Sequence, residues 1–555
     1  MAKLTPAAKG LISLVILSVT GAAAWHLGVK DLVSSSGEKS SQSDAQNDSQ
    51  NSGTKSSNTN IASGKIGSKD NPLKVSIVSF HGYAPAIVAN GNSLSTKSGS
   101  IFEKNGVYVD FIIQDDIPTL STIFSSETAH CAWRTSDFWA QEHPNLRNAG
   151  HDAKAIVVVD NTQGADAIIA RDKSIQSIED LAGKKIGLLQ FTPSDGMVID
   201  AINNSALSKR KRQSVDFVYI NVEEGTAGVR AALEGGRIDA AALWDPDLSL
   251  AVKNTNAHVV YSTKTATNLI YDVIVCDQRV INNSANDLAL EGFVAGWMEG
   301  VTAAESDPDN AVEALVQTEE FFTLLAKDEG KPFVKGLFKN LVWTGLEDNA
   351  RILGLAGTQN HYERVYKRFD KIYRSAGALA NPNSPVINPQ DSFEYKYIKR
   401  LVEQSSTAKK EASKPEYVFT KSEAKQASKK EAALTKPVLV GFKSGSADLN
   451  KRAFQLIDEE MVPLIDNNGS AYFIVSGNTD STGSRSVNLS LSKKRAQAVV
   501  DYLVKEWDIP AERFIIKGNG PDKPLCNEKN PQEEGLSLEE CRAQNRTTRL
   551  AIHSR

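Results

Sequence analysis

The stretch VRAALEGGRIDAAALWDPDL, Val229 to Leu248, decides how the larger part of the chain is read. A helical pattern over 225–234 gives way to a short apolar run, Ala240 to Trp244, which ends at Asp245 and Pro246. The same alternation extends outward in both directions. Short apolar runs predict strands over 73–79, 107–114, 155–160, 185–189, 216–220 and 272–276, and helical patterns lie over 177–182 and 285–305. Strands alternating with helices imply an α/β architecture with largely parallel sheets.

A chain of 555 residues exceeds one ordinary core, so several domains are expected. A net charge of -4 supplies no global basic field, and nucleic acid is not an expected partner. At the N-terminus, Lys3 and Lys9 precede an uncharged stretch from Gly10 to Val29. About 20 such residues can span a bilayer with the basic flank kept inside. Residues 1–30 are therefore read as a transmembrane signal anchor, with a cleaved signal peptide ending near Ala22 and Ala24 as the rival reading. Residues 31–70, rich in Ser, Asn, Gln, Gly and Lys, bury too little to order themselves and read as a disordered linker. Residues 404–436 form a second linker, rich in Lys, Ala, Ser and Glu, with some helical character. The globular parts are residues 71–403 and 437–555.

Four cysteines occur, without CxxC or histidines at zinc-ligand spacing, so no metal is expected. Cys526 and Cys541 flank a loop that a disulfide could close in an oxidising compartment.

The segments KVSIVSFHGYAPAIVANG from Lys74, IFEKNGVYVDFI from Ile101, SIQSIEDLAGKKIGLLQFTPSD from Ser174 and the stretch from Val229 resemble periplasmic solute-binding proteins of the nitrate, taurine and thiamine-precursor type, an ABC-transporter substrate-binding family. The resemblance implies two α/β lobes closing on a small molecule, with the chain crossing between them near 159–165 and 265–272. Ligand groups in such folds sit where strands run into helix N-termini. The expected ligand-binding residues are Ser79, Tyr83, Trp133, Thr135, Ser136, Asp160, Thr192, Ser194, Trp244, Asp245 and Asp272. Thr192, Pro193, Ser194 and Asp195 open a helix whose free amides suit an anionic group. The excess of aromatic and acidic residues over basic ones, with Arg134 the exception, favours a cationic or zwitterionic organic ligand instead. Synthases of thiamine precursors share this fold but use clustered cysteines, which this chain lacks. His81 is then a loop or pocket residue, the domain reads as binding rather than catalytic, and no cofactor is expected.

From Pro437, PVLVGFKSGSADLN alternates apolar residues as a half-buried strand does, and a strand near 472–476 runs into GNTDSTGSRSVNLSLSKKRAQAVVDYL. Thr479, Asp480 and Gly483, then Asn488, Leu491, Ser492, Arg495 and Ala496, and finally Asn545 and Arg546 reproduce in order the features of the OmpA C-terminal family. The resemblance implies an α+β domain that binds the diaminopimelate of peptidoglycan stems. The binding residues it implies are Thr479, Asp480, Asn488, Arg495 and Arg546. Asp480 suits the ammonium and Arg495 the carboxylate of that zwitterion.

The whole then reads as an envelope protein, anchored in the inner membrane with its bulk in the periplasm. It would hold peptidoglycan and a small organic solute for uptake or sensing, with an ABC transporter or another envelope protein as a further partner. The contrasting readings are a scaffold or sensor whose lobes contact a protein, and a thiamine-precursor-synthase-like enzyme.

Overall fold

The computed structural model describes residues 64–440, 442 and 445–555. The expected membrane segment 1–30 and residues 31–63 of the expected linker lie outside the described residues; of the rest of that linker, Ile66 is buried and the Gly67 carbonyl accepts from the Tyr108 amide at 2.8 Å. Among the described residues, no helix is long and apolar enough to cross a membrane.

Strands β1 (Leu73–Ile77), β2 (Val109–Ile113), β3 (Cys131–Thr135) and β4 (Ala153–Thr162) begin one lobe. The chain then crosses and lays down β5 (Asp166–Ala170), β6 (Lys185–Leu188), β7 (Asp216–Tyr219), β8 (Ala240–Trp244) and β9 (His258–Ser262) as the second lobe. It returns through residues 263–270 into β10 (Tyr271–Asp277), and β11 (Leu341–Trp343) completes the first sheet. The sheets run β11-β4-β10-β3-β1-β2 and β7-β6-β8-β5-β9.

These sheets are mixed rather than largely parallel. Parallel pairs join β1 to β2 and β3, and β6 to β7 and β8. The strands next to the crossings, β4, β5, β9 and β10, pair antiparallel, because a strand arriving from the other lobe enters its sheet from the opposite end. This register places Asp272 of β10 directly between Asp160 of β4 and Thr135 of β3. The same β3–β10 pairing sets Cys131 opposite Cys276, and the two form a disulfide.

The helix Asp287–Ser306 shows how the first lobe packs. A Cβ at Gly292, Gly296 or Gly300 would lie 2.3 Å from the Asn105 carbonyl, 2.6 Å from the Phe102 ring or 2.4 Å from the Pro85 carbonyl. Glycines one turn apart thus let this helix lie against neighbouring backbone and the Phe102 ring. The helix His361–Ala376 braces both lobes from behind: Tyr366 meets His143 at 3.0 Å, while Arg368 pairs with Asp200 at 2.7 Å.

In the third sheet, β12 (Leu434–Val438), β13 (Tyr472–Asn478), β14 (Phe514–Gly520) and β15 (Thr548–His553) run β12-β15-β13-β14. Its first strand starts earlier than the alternation of Val438, Val440 and Phe442 implied; Phe442 makes only an isolated bridge to Leu449. Pro437, which cannot donate to a ladder, is accommodated because β12 is an edge strand. The helix Arg485–Trp507 buries Ala496, Val499, Val500 and Leu503 against the sheet. It lies so close that a Cβ at Gly477 would be 2.0 Å from the Ser492 carbonyl.

Residues 404–436 carry two short helices, Ala408–Ala412 and Lys421–Ala427, and Ala424 and Ala427 pack with Tyr472. The C-terminal domain also touches the returning crossing. The Asn268 amide donates to the Asn467 carbonyl at 3.0 Å, and the Ser470 hydroxyl to the Lys264 carbonyl at 2.9 Å. On the second lobe, Glu179 accepts from the amides of Ala206 and Thr435, both at 2.9 Å.

Candidate functional sites

Between the lobes lies a cavity of about 240 Å³. Aromatic rings of Phe80, Trp133, Phe138, Phe191, Trp244 and Phe321 share its walls with Asp115, Glu142, Asp166, Asp245, Asp247 and Asp272. Of the residues expected from the sequence, Ser79, Trp133, Thr135, Thr192, Trp244, Asp245 and Asp272 line it. Tyr83, Ser136, Asp160 and Ser194 do not. Tyr83 sits behind the wall and its hydroxyl donates to Asp272 Oδ2 at 2.7 Å. The Ser136 hydroxyl accepts from the Tyr271 amide at 3.2 Å, and Ser194 is buried in the first turn of the helix Pro193–Asn203. Asp160 is fully buried against Gly82, where a Cβ would come within 2.1 Å of its Oδ2.

The acids differ in how far they are satisfied. Asp272 Oδ2 accepts from Tyr83 and from Trp133 Nε1 at 2.8 Å, and its other oxygen has no hydrogen-bond partner among the described residues. Burial outweighs these two bonds and raises the Asp272 carboxyl to about 7. Asp166, 3% exposed, has only the Thr162 hydroxyl beside it; burial, with the charges of Asp272, Asp137 and Asp245, holds it well above the usual carboxylate range. Asp160 is raised by burial and by Asp272. Asp245 is lifted to about 6 by burial, although the Ser249 amide and the Asn340 side chain donate to it at 3.0 and 2.7 Å. Asp247 is bonded by Thr226 and paired with Arg230 at 2.7 Å. Asp115 accepts from the Ser79 amide and hydroxyl, which commits Ser79.

Little positive charge faces this cavity. Arg134 is 1% exposed, is paired with Glu142, and donates to the carbonyls of Trp133 and Leu120. Burial lowers the His81 ring to about 3, so it stays neutral. The helix Pro193–Asn203, whose N-terminus was expected to receive an anion, has that end covered by its own Asp195, which accepts from the Phe191 amide at 2.9 Å. The helix Ser136–Asn148 likewise holds Asp137 buried in its first turn, beside the amides of Asp137 and Phe138.

Sequence reasoning missed Asp115, Phe138, Asp166, Phe191, Asp247 and Phe321. Phe191 adopts φ 55°, a left-handed conformation uncommon for a bulky residue, and such strain gathers at functional sites. Asp166 lies one residue beyond the expected crossing, which was the signal available for it.

In the C-terminal domain, Thr479 and Asp480 follow β13 directly, and the Thr479 amide donates to the Gly520 carbonyl at 2.9 Å. Asp480 accepts from Arg546 Nη1 at 2.7 Å and from the Thr482 amide at 2.9 Å. Burial pushes this carboxyl up, but these two donors outweigh it and hold the group below the ordinary aspartate value. Arg546 also reaches Glu539 at 2.6 Å, so it orients Asp480 from the end of the helix Leu538–Asn545. Asn488 donates to the Thr482 carbonyl at 2.9 Å and closes the loop onto the helix Arg485–Trp507. Arg495, from that helix, donates through Nε to the Ser446 carbonyl at 3.1 Å and lies 4.8 Å over the Phe442 ring. Among the described residues it has no acidic partner. Cys526 and Cys541 form a disulfide, which holds near the loop a carboxylate, Glu528, that accepts from Ser481 and Asn545.

The molecule is thus a two-lobed α/β cleft protein with an appended α+β domain. Residues 98–311 match the family described as NMT1/THI5 like and residues 441–535 match the OmpA family, so the chain carries a domain of each kind. Outer membrane protein A of Klebsiella pneumoniae is 34% identical over 115 residues, 20% of this chain and 33% of that protein. Outer membrane protein A of Atlantibacter hermannii is 31% identical over 118 residues, 20% and 46% of the two. The chain therefore spans less than half the length of these relatives. Among solved structures, the periplasmic aliphatic sulphonate binding protein SsuA from Escherichia coli aligns with 60% of this chain and 98% of its own, at 15% identity and a TM-score of 0.44. The alkanesulfonate-binding protein SsuA from Xanthomonas axonopodis pv. citri bound to MOPS aligns with 58% and 98%, at 13% identity and a TM-score of 0.44.

Proposed function

We propose that this is a cell-envelope protein that holds peptidoglycan non-covalently through its C-terminal domain and a small organic solute in the cleft between its lobes, for uptake or sensing. The observation that carries the wall-binding half is the state of Arg495. It is a partly buried guanidinium over an aromatic ring, without an acidic partner among the described residues, in a domain where Asp480 is already fixed by Arg546. A zwitterion such as diaminopimelate offers a carboxylate to the first and an ammonium to the second. The cavity with its aromatic walls supports the solute-binding half. Two disulfides among the described residues accord with an oxidising compartment.

The test is co-sedimentation of the intact protein with purified diaminopimelate-type peptidoglycan. The wild type should sediment, and Asp480→Ala and Arg495→Ala should each stay in the supernatant while remaining folded by circular dichroism. Sedimentation of both variants at the wild-type level would overturn the wall-binding reading.

A further inference from the structure

Three features of the cleft bear on the charge of its ligand. The first is that the one arginine lining the cavity is already engaged. Arg134 is spent on Glu142 and two carbonyls, and two of the helix N-termini beside the cavity carry Asp195 and Asp137 of their own; the helix Gly225–Glu234, whose Gly225 and Thr226 also line it, has no acid in its first turn, and its Thr226 hydroxyl is bonded to Asp247. A sulfonate or carboxylate placed here would meet several aspartates and no uncommitted donor cation, which burial makes costly.

The second is that two buried carboxylates lining the cavity remain under-satisfied. Among the described residues, Asp272, 3% exposed, has one oxygen held by Tyr83 and Trp133 and the other without a hydrogen-bond partner, and Asp166, equally buried, has only the Thr162 hydroxyl beside its carboxylate. The charged or titratable groups facing Asp272 from the surrounding elements are Tyr83, Asp137, Asp160 and Asp166. None is basic. The third is the aromatic lining, which suits the face of a soft cation. No trio of His, Cys, Asp or Glu among the described residues is placed to hold a metal ion, which points to an organic cation.

We propose that the cleft binds a small organic cation, a protonated or quaternary amine, with its charge against Asp272 and Asp166 and its apolar surface against Trp133, Phe191 and Trp244. This rests on the solute-binding reading and specifies its ligand class. Binding a cation draws the proton off Asp272, whose carboxyl otherwise holds it to about 7, so affinity rises with pH.

The experiment is a thermal-shift panel on the intact protein at pH 7.5. Choline, benzyltrimethylammonium and putrescine are set against ethanesulfonate, nitrate and uracil. At least one amine should raise the midpoint by about 3 °C or more at saturating concentration. Calorimetric titration of that amine should show at least about tenfold weaker binding to Asp272→Asn and Asp166→Asn. Near-ultraviolet circular dichroism checks the fold of both variants. Quenching of tryptophan fluorescence by the amine, stronger at pH 8 than at pH 5.5, reads the same site without any substitution. Stabilisation by ethanesulfonate, nitrate or uracil with the amines silent overturns the charge assignment and leaves solute binding standing. Silence across the panel overturns both, and unchanged affinity in both variants overturns the placement at Asp272 and Asp166.

Discussion

Two sets of aspartates in this chain are built in opposite ways. In the cleft and just behind its wall, Asp166, Asp245, Asp272 and Asp160 are buried without a cation partner among the described residues, and burial raises each of them, Asp245 to about 6 and Asp272 to about 7. In the C-terminal domain, Asp480 is partly buried as well, yet Arg546 and the Thr482 amide hold it below the ordinary value. The same residue type is kept ready to lose a proton in one place and kept ionised in the other. What differs is the company: a carboxylate with a fixed arginine keeps its charge at any physiological pH, whereas one buried without such a partner holds its proton to higher pH.

The most disruptive way to break this contrast is to add an unpaired acid to the cleft. Arg134→Met strands the Glu142 carboxylate in a buried position and is expected to lower unfolding free energy by about 3–5 kcal/mol in urea titrations. Adding Glu142→Gln to that variant should recover much of the loss, because the stranded charge is then gone.

A smaller effect separates the raised acids from the rest. The folded-state value of Asp272 lies above its unfolded value, so between the two the folded protein binds more protons than the unfolded chain. The stability advantage of the wild type over Asp272→Asn should therefore be greatest below about pH 4 and fall as pH rises towards 7, on the order of 1 kcal/mol per pH unit. Melting curves of the ligand-free pair from pH 4 to 8 measure it, and a pH-independent difference would contradict the assignment.

The smallest effect on stability comes from Arg546→Ala. Arg546 is 37% exposed, so solvent screening limits the cost to roughly 1 kcal/mol or less. Its expected consequence is functional: peptidoglycan co-sedimentation weakens, though less than for Asp480→Ala, since Asp480 loses its orienting partner but remains.

Much of this was legible in the sequence where local pattern controls structure. The helix Gly225–Glu234 and the strand Ala240–Trp244 fall where the helical pattern and the apolar run placed them. The strands β3, β5, β9 and β11 were not foreseen: β5 and β9 pair with each other beside the crossings, and β11 is only three residues long. In the cleft, residues at strand ends such as Trp133, Thr135, Trp244 and Asp272 could be placed because loops at those ends converge in this architecture. Tyr83 and Asp160 were misplaced by one layer, since sequence position does not tell which side of a wall a side chain occupies. The closing of both helix N-termini by Asp137 and Asp195 depends on side-chain packing and had no sequence signal beyond acids in a first turn. That packing puts an acid at the helix end where Thr192 was expected to open free amides.

The contrast between the two kinds of aspartate is measured most directly by carbon-13 titration of selectively labelled aspartate carboxyls in the ligand-free protein, with Asp272→Asn and Asp480→Asn assigning the two resonances. The resonance lost in Asp272→Asn should titrate near 7, and the one lost in Asp480→Asn should titrate below the ordinary aspartate value of about 3.9. Two resonances titrating together near that ordinary value would contradict it.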